Sequence, residues 1–333
     1  MEYAIKKNRK HITKIKCNFK NIHEFNKSKK EGESMNKENG TFSNIKLNWY
    51  PGHMAKTRRQ IENDLKLIDV VIELLDARIP IASRNPDIKN LTKNKKRIIL
   101  LNKCDLADEK MNKRWIDVLS KEAPTILTDS KSGKGIEKVT KKIEELMKSE
   151  MEKQASRGRI NKTIRVMILG IPNVGKSSFI NRISKKTTME VGNKPGVTKT
   201  KQWIRIGKNQ ELLDTPGVLW PKFQSEEIAL NLAFTGTIKD DILERVEIAY
   251  ELLKKLYLEY RSNIQERYRI SDDEVLEIEK KENYIYELMK LIGQKRGALI
   301  AGGEIDDEKV SRIILEDFRN CKLGKITLEE PDV

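Results

Sequence analysis

The chain has 333 residues, 35% of them charged and 38% hydrophobic, with a formal net charge of +16. That length suggests two domains. No apolar stretch approaches a membrane span and residues 1–30 lack the apolar core of a secretory leader, so neither a membrane partner nor a signal peptide is expected. Cys17, Cys104 and Cys321 are too scattered for a disulfide framework or a metal cluster, which fits a reducing cytoplasm and no disulfide partner.

Residues 1–44 are polar, rich in Lys and Asn and without apolar periodicity, and read as a disordered basic extension in which Met35 is a second candidate start. Arg9 is the only arginine in the first 40 residues, which argues against a mitochondrial leader. Charge is uneven along the chain. Residues 1–46 carry 12 Lys/Arg against 5 Asp/Glu, residues 47–222 carry 37 against 20, and residues 223–333 carry 17 against 25. The basic excess suits a polyanionic partner, and binding through it would be steeply salt-dependent.

Strand-like runs begin at Ile68–Leu75 and Arg97–Leu101. The second opens directly into Asn102-Lys103-Cys104-Asp105. Open α/β sheets bind ligands at the carboxyl ends of their strands, and there Asp105 can accept from the N1–H and exocyclic amine of guanine, a pairing adenine does not offer. A third run, Pro124–Thr128, precedes Asp129-Ser130-Lys131, which stands where a further base-contacting loop is expected, through Ser130 and Lys131. A helix starts near Ile136, and the charged stretch Lys141–Lys162, ending in a loop at Arg157-Gly158-Arg159, reads as a connector.

The strand-like Thr163–Leu169 leads into Gly170-Ile171-Pro172-Asn173-Val174-Gly175-Lys176-Ser177, a G-x-x-x-x-G-K-[ST] phosphate loop opening a helix. Its N–H groups from Asn173, Val174, Gly175, Lys176, Ser177 and Ser178 cradle phosphates, Lys176 reaches the β- and γ-phosphates, and the Ser177 hydroxyl takes Mg²⁺. Thr198, in Gly196-Val197-Thr198-Lys199, is the candidate switch threonine on Mg²⁺. Runs Lys201–Ile206 and Glu211–Leu213 then deliver Asp214-Thr215-Pro216-Gly217, where Asp214 holds Mg²⁺ through water and the Gly217 N–H meets the γ-phosphate.

The base-reading motif thus precedes the phosphate loop. Moving the first three strands behind the last three restores the usual order, so the expected fold is α/β: a circularly permuted P-loop G domain over residues 45–222, mostly parallel with helices on both faces, binding GTP or GDP. An all-α C-terminal domain follows over residues 223–333, from helical patterns at Ser225–Thr235, Asp241–Arg261, Asp272–Gly293 and Asp307–Arg319. Permutation ties the Asp214–Gly217 switch directly to this second domain, whose movement is the expected readout of hydrolysis. Lys295, Arg296, Lys322 and Lys325 are its candidate RNA contacts.

Asn48-Trp49-Tyr50-Pro51-Gly52-His53-Met54-Ala55-Lys56, Asp76-Ala77-Arg78, NKCD, GIPNVGKS, PGVTK and DTPGVLWPK together resemble the YlqF/RbgA family, ribosome biogenesis GTPase A, over residues 46–330. The resemblance implies a cytoplasmic GTPase of late large (50S) subunit assembly, stimulated by that subunit, with the helical domain on ribosomal RNA; a monomer is expected. It also implies a catalytic role for His53. Ras-like GTPases place a water-orienting Gln after the DxxG glycine, and here that position is Val218, which has no hydrogen-bonding side chain. In this family the histidine of PGHM takes that role, and Gly52 is expected to give its loop freedom to move. Asn173 matches the phosphate-loop asparagine of potassium-stimulated GTPases, which implies K⁺ beside the phosphates. Val218 also admits a non-catalytic, GTP-gated binding module. A small-subunit assembly GTPase would resemble a fusion to an OB-fold and a zinc module, and the sequence has neither.

Overall fold

The apolar runs become strands, and their lengths decide their places. β1 (Val70–Asp76), β2 (Lys96–Asn102), β3 (Thr125–Leu127), β4 (Ile164–Leu169), β5 (Trp203–Gly207) and β6 (Gln210–Leu213) form one sheet in the order β3-β2-β1-β4-β6-β5. Every neighbouring pair is parallel except β5 with β6. The computed structural model describes residues 51–158, 162–185, 203–214, 225–238 and 245–331. The expected extension over residues 1–44, Thr198, Gly217 and Val218 lie outside these.

All seven residues of β1 are buried, as expected of a central parallel strand covered on both faces. Val70, Ile72 and Leu74 face one side with Val166 and Ile168, under Val139 and Ile143 of α4 (Ile136–Ser156) and Phe179 of α5 (Lys176–Lys185). On the other face Leu75, Ile99 and Leu101 pack with Trp115 of α3 (Glu109–Leu119). Val71, Met167 and Leu169 pack there with Ile61 and Leu65 of α1 (Pro51–Leu65). Glu73, fully buried on that second face, is held by a bidentate bond from Arg84 at 3.0 and 3.1 Å, just before α2 (Pro86–Leu91). Each fully buried Ile or Leu stabilises the sheet by about 1.5–3 kcal/mol.

The helical part comprises α6 (Glu226–Phe234), α7 (Arg245–Glu259), α8 (Arg261–Tyr268), α9 (Asp272–Glu279), α10 (Tyr284–Arg296) and α11 (Asp307–Arg319). Its core is continuous with that of the sheet: Leu253, Met289 and Ile314 belong to the same cluster as Ile72 and Phe179. Side chains at helix starts match the polar residues there. Ser225 and Asp306 cap α6 and α11, and Ser271 with Glu274 forms a reciprocal capping box at α9.

Three sequence expectations need correction. The pattern Asp272–Gly293 is two helices, because Lys280–Asn283 breaks the spiral and Asn283 leaves helical dihedrals at φ −108°, ψ 54°. The helix expected to run on to Arg261 ends at Glu259, where Tyr260 turns out to φ −132°, ψ 38° and a separate α8 follows. Gly52 lies in the first turn of α1 rather than in a loop, with Pro51 at the position where its fixed φ and missing N–H suit a helix start.

Candidate nucleotide site

The sheet brings the two halves of the signature together. β1 pairs with β2 in a register that sets Asp76 opposite Asn102, and with β4 in one that sets Glu73 opposite Leu169. The loops after β2 and β4 therefore leave the same edge of the sheet on either side of β1. Gly170 passes so close to β1 that a Cβ there would stand 2.7 Å from the Leu74 carbonyl oxygen.

Asn102 joins the two loops. Its Nδ2 donates to the Val174 carbonyl at 2.8 Å, while its Oδ1 accepts from the Ser130 hydroxyl at 2.7 Å and the Ser130 N–H at 3.2 Å. At 1% exposure, this one amide holds the base loop, the phosphate loop and the Ser130 loop in mutual register. Gly175 has φ +101°, and a Cβ there would lie 2.4 Å from Asn102 Nδ2, so both conformation and space require glycine.

Lys103 adopts φ 59° and spans the same gap. Its Nζ donates to the Asn173 carbonyl at 2.6 Å and pairs with Asp76 Oδ2 at 2.9 Å. Asp76 in turn takes Arg78 in a bidentate pair at 3.0 and 2.8 Å. Burial pushes the Asp76 carboxyl up, but the charges and hydrogen bonds of Arg78 and Lys103 outweigh it and hold it far below the usual carboxylate range. The DAR element thus anchors the base loop from beneath. Asp105 is partly exposed beside this cluster, close enough for its charge to act on Arg78 and on the Cys321 thiol.

At the phosphate end, Asn173 has φ 61° and Lys176 begins α5. Lys176 Nζ donates to the Gly170 and Ile171 carbonyls at 2.9 and 2.7 Å. Burial pushes its ammonium down to about 8, with the charge of Asp214 acting the other way. Asp214 is exposed at the end of β6, and Ser177 and Ser178 are exposed in the first turn of α5. The Val174 side chain is buried in the core, so only its backbone faces the loop.

Ser130 is buried against Asn102, and Lys131 donates its N–H to Asp129 at 2.8 Å. Burial raises the Asp129 carboxyl, but hydrogen bonds from Ser132 and from the Lys131 N–H bring it below its ordinary value. Arg182 of α5 reaches the Ser130 carbonyl at 3.3 Å, completing the ring of loops. His53 lies on the first turn of α1, and its side chain falls outside the described residues.

Several participants went unread in the sequence. Asn173 Nδ2 donates at 2.8 Å to the carbonyl of Gly236, in the turn after α6, so the phosphate loop touches the helical part directly. Arg319 of α11 holds the same turn through the Phe234 and Ala233 carbonyls at 3.0 and 2.8 Å. Of the candidate RNA contacts, Lys295, Arg296 and Lys322 line one cleft of about 880 Å³ together with Arg267 and Arg269. Lys325 lies elsewhere, paired with Glu109 of α3.

Comparison with known proteins agrees with this geometry. Residues 165–289 match the family described as 50S ribosome-binding GTPase. The chain is 44% identical over 287 residues to ribosome biogenesis GTPase A of Bacillus licheniformis, covering 86% of this chain and 99% of that one. Its fold superposes on the GDP-bound structure of TM YlqF with a TM-score of 0.60 at 27% identity, over 82% of this chain and 99% of that one. For GNP-bound YlqF from T. maritima the TM-score is 0.57 at 27% identity, over 83% of this chain and 99% of that one.

Proposed function

The chain belongs to the ribosome biogenesis GTPase A family and is a GTP-hydrolysing enzyme, and from that premise we propose that it matures the large ribosomal subunit in the cytoplasm. It engages the subunit precursor with GTP bound, is stimulated there, and leaves after hydrolysis. The single observation that carries the nucleotide part is the double strut from the base loop to the phosphate loop, Asn102 to Val174 and Lys103 to Asn173. Two motifs far apart in sequence and reversed in order are bonded into one site.

In this reading Asp105 accepts from guanine, Ser130 and Lys131 flank the base, and the phosphate-loop N–H groups with Lys176 take the phosphates. Phosphate oxygens would draw Lys176 from the two carbonyls it now caps, and negative charge beside it would restore the pKa that burial lowers. Ser177, exposed in the first turn of α5, and Asp214, exposed after β6, carry oxygens that are hard donors of the kind Mg²⁺ takes, with Thr198 as a third partner. The metal would supply charge neutralisation across the β- and γ-phosphates. Asn173 gives its Nδ2 to Gly236, so its Oδ1 is the atom that would hold K⁺. His53 orients the attacking water where Val218 has no group to do so.

The division into a basic extension at 1–44, a G domain at 45–222 and a helical RNA-binding domain at 223–333 follows the same reading. In the helical domain, the cleft bearing Lys295, Arg296 and Lys322 faces ribosomal RNA. Sedimentation with subunits and precursors tests the whole. The protein should travel with large-subunit precursors in a GTP analogue and not in GDP, and those fractions should raise its turnover. Equal partition in both nucleotides, or stimulation by small subunits alone, would contradict it.

A further inference from the structure

Beyond α11 the described chain leaves the bundle formed by the helices. After α11 it returns to the sheet, where Ile326, Thr327 and Leu328 are each at most 3% exposed. This strap lies against the residues that follow Asp105. The Ile326 N–H donates to the Leu106 carbonyl at 3.1 Å, and the Asp108 N–H donates to the Thr327 hydroxyl at 3.0 Å. Upstream, the Leu106 N–H closes a turn onto the Lys103 carbonyl at 3.0 Å. Asp105 is therefore bracketed, by its own turn on one side and by the strap on the other.

The strap is itself fixed from both domains. The Leu328 N–H donates to the Arg78 carbonyl at 2.8 Å, and Arg78 is the residue bidentate to Asp76. From the helical domain, the Tyr260 hydroxyl donates to the Thr327 carbonyl at 2.9 Å. Tyr260 is the residue that leaves helical dihedrals between α7 and α8, so the break in that helix and the grip on Thr327 occur at one side chain. The Thr327 backbone answers to the helical domain while its hydroxyl answers to the turn behind Asp105.

We propose that the C-terminal strap is part of the guanine-reading apparatus, with Thr327 the residue that positions Asp105 through the Leu106–Asp108 turn. The helical domain then touches the nucleotide site at both ends, through Asn173 at the phosphates and through Thr327 at the base. A carboxylate that must meet two donors on the guanine edge tolerates little displacement, so slack in the turn reduces discrimination between bases before it reduces phosphate binding. The inference rests on the reading that Asp105 recognises guanine.

The test compares GDP with inosine diphosphate, which lacks the exocyclic amine, by calorimetric titration of the full chain. Thr327→Val keeps the volume of the side chain and removes the acceptor for the Asp108 N–H; Thr327→Ser keeps the acceptor. Wild type should prefer GDP, Thr327→Val should lose at least threefold of that preference with inosine diphosphate affinity nearly unchanged, and Thr327→Ser should keep it. A merely structural role would move both affinities together. A GDP preference in Thr327→Val equal to that of wild type overturns the proposal. Absence of any preference in wild type instead overturns the reading of Asp105, and the proposal with it. Should Thr327→Val fail to fold, wild-type hydrogen exchange decides, since coupling is reciprocal. The amides of Ile326 and Leu328 should exchange more slowly when saturated with GDP than with inosine diphosphate, and equal rates sink the proposal.

Discussion

Replacing Asn102 by alanine removes a side chain that ties three loops together. The variant loses the donor to Val174 at 2.8 Å and the acceptor for Ser130 at 2.7 and 3.2 Å, in a position 1% exposed. A buried polar group left without its partner costs about 1–3 kcal/mol. The Val174 carbonyl and the Ser130 N–H and hydroxyl are all affected, but the hydroxyl can rotate and the loops can admit water, so about 2–4 kcal/mol is expected in total. The apolar core beneath is untouched, which keeps the fold and directs the loss to the loops and the nucleotide they hold. At about 1.4 kcal/mol per tenfold, GDP affinity should fall roughly 30- to 1,000-fold. Titration with a fluorescent GDP analogue measures it, and circular dichroism checks the fold. A folded Asn102→Ala protein that binds GDP within twofold of wild type would refute the assignment of Asn102 as the strut.

Three further outcomes follow from the same geometry. Gly175→Ala places a methyl 2.4 Å from Asn102 Nδ2 at φ +101°, and GDP binding should weaken by more than tenfold while the thermal midpoint moves by only a few degrees. Burial pushes the Glu329 carboxyl up to about 7, opposed by hydrogen bonds from the Ile81 N–H, the Asn231 amide and the Ala82 N–H. The folded state thus holds its proton more tightly than the unfolded chain. Its stabilising contribution is complete below the unfolded value near 4.5 and is lost as pH rises to about 7. Denaturant titrations should show Glu329→Gln with a flatter stability profile across that window, and an unchanged slope would count against a protonated Glu329. His53→Ala should bind GTP normally and lose most of the turnover stimulated by large-subunit precursors, which a phosphate-release assay would reveal.

Much of the site was legible because its chemistry is local. The strand ends lie within two residues of where apolar runs meet polar ones, and the GIPNVGKS loop and NKCD stand at those ends, the edge where parallel sheets bind ligands. Reversed motif order was enough to infer permutation, since the sheet fixes neighbours without regard to chain order. What stayed hidden depends on distant partners. Nothing local marks Thr327 or Glu329, because the alternation Ile326-Thr327-Leu328-Glu329 is too short to announce an element and its hydrogen bonds go to residues from 67 to more than 200 positions away. Asn173 has a phosphate-loop signature, but its bond to Gly236 is a tertiary contact. DAR could be quoted as a family mark, whereas the placement of Asp76 under Lys103 needed the β1–β2 register. The helix breaks at Tyr260 and at Lys280–Asn283 also escaped the apolar pattern, which continues through both; at Tyr260 the hydroxyl's bond to Thr327 accompanies the break.

If Asp105 and Lys176 hold opposite ends of one nucleotide across the permuted chain, a base preference rewritten at Asp105 must still depend on Lys176, and titration with an exchanged base shows whether it does. Asp105→Asn turns an acceptor into a group that can also donate, matching the second carbonyl of xanthine in place of the guanine amine. The variant should bind xanthosine diphosphate in preference to GDP, and adding Lys176→Ala should abolish that new binding. Unchanged GDP preference in Asp105→Asn, or xanthosine diphosphate binding indifferent to Lys176, would contradict the account.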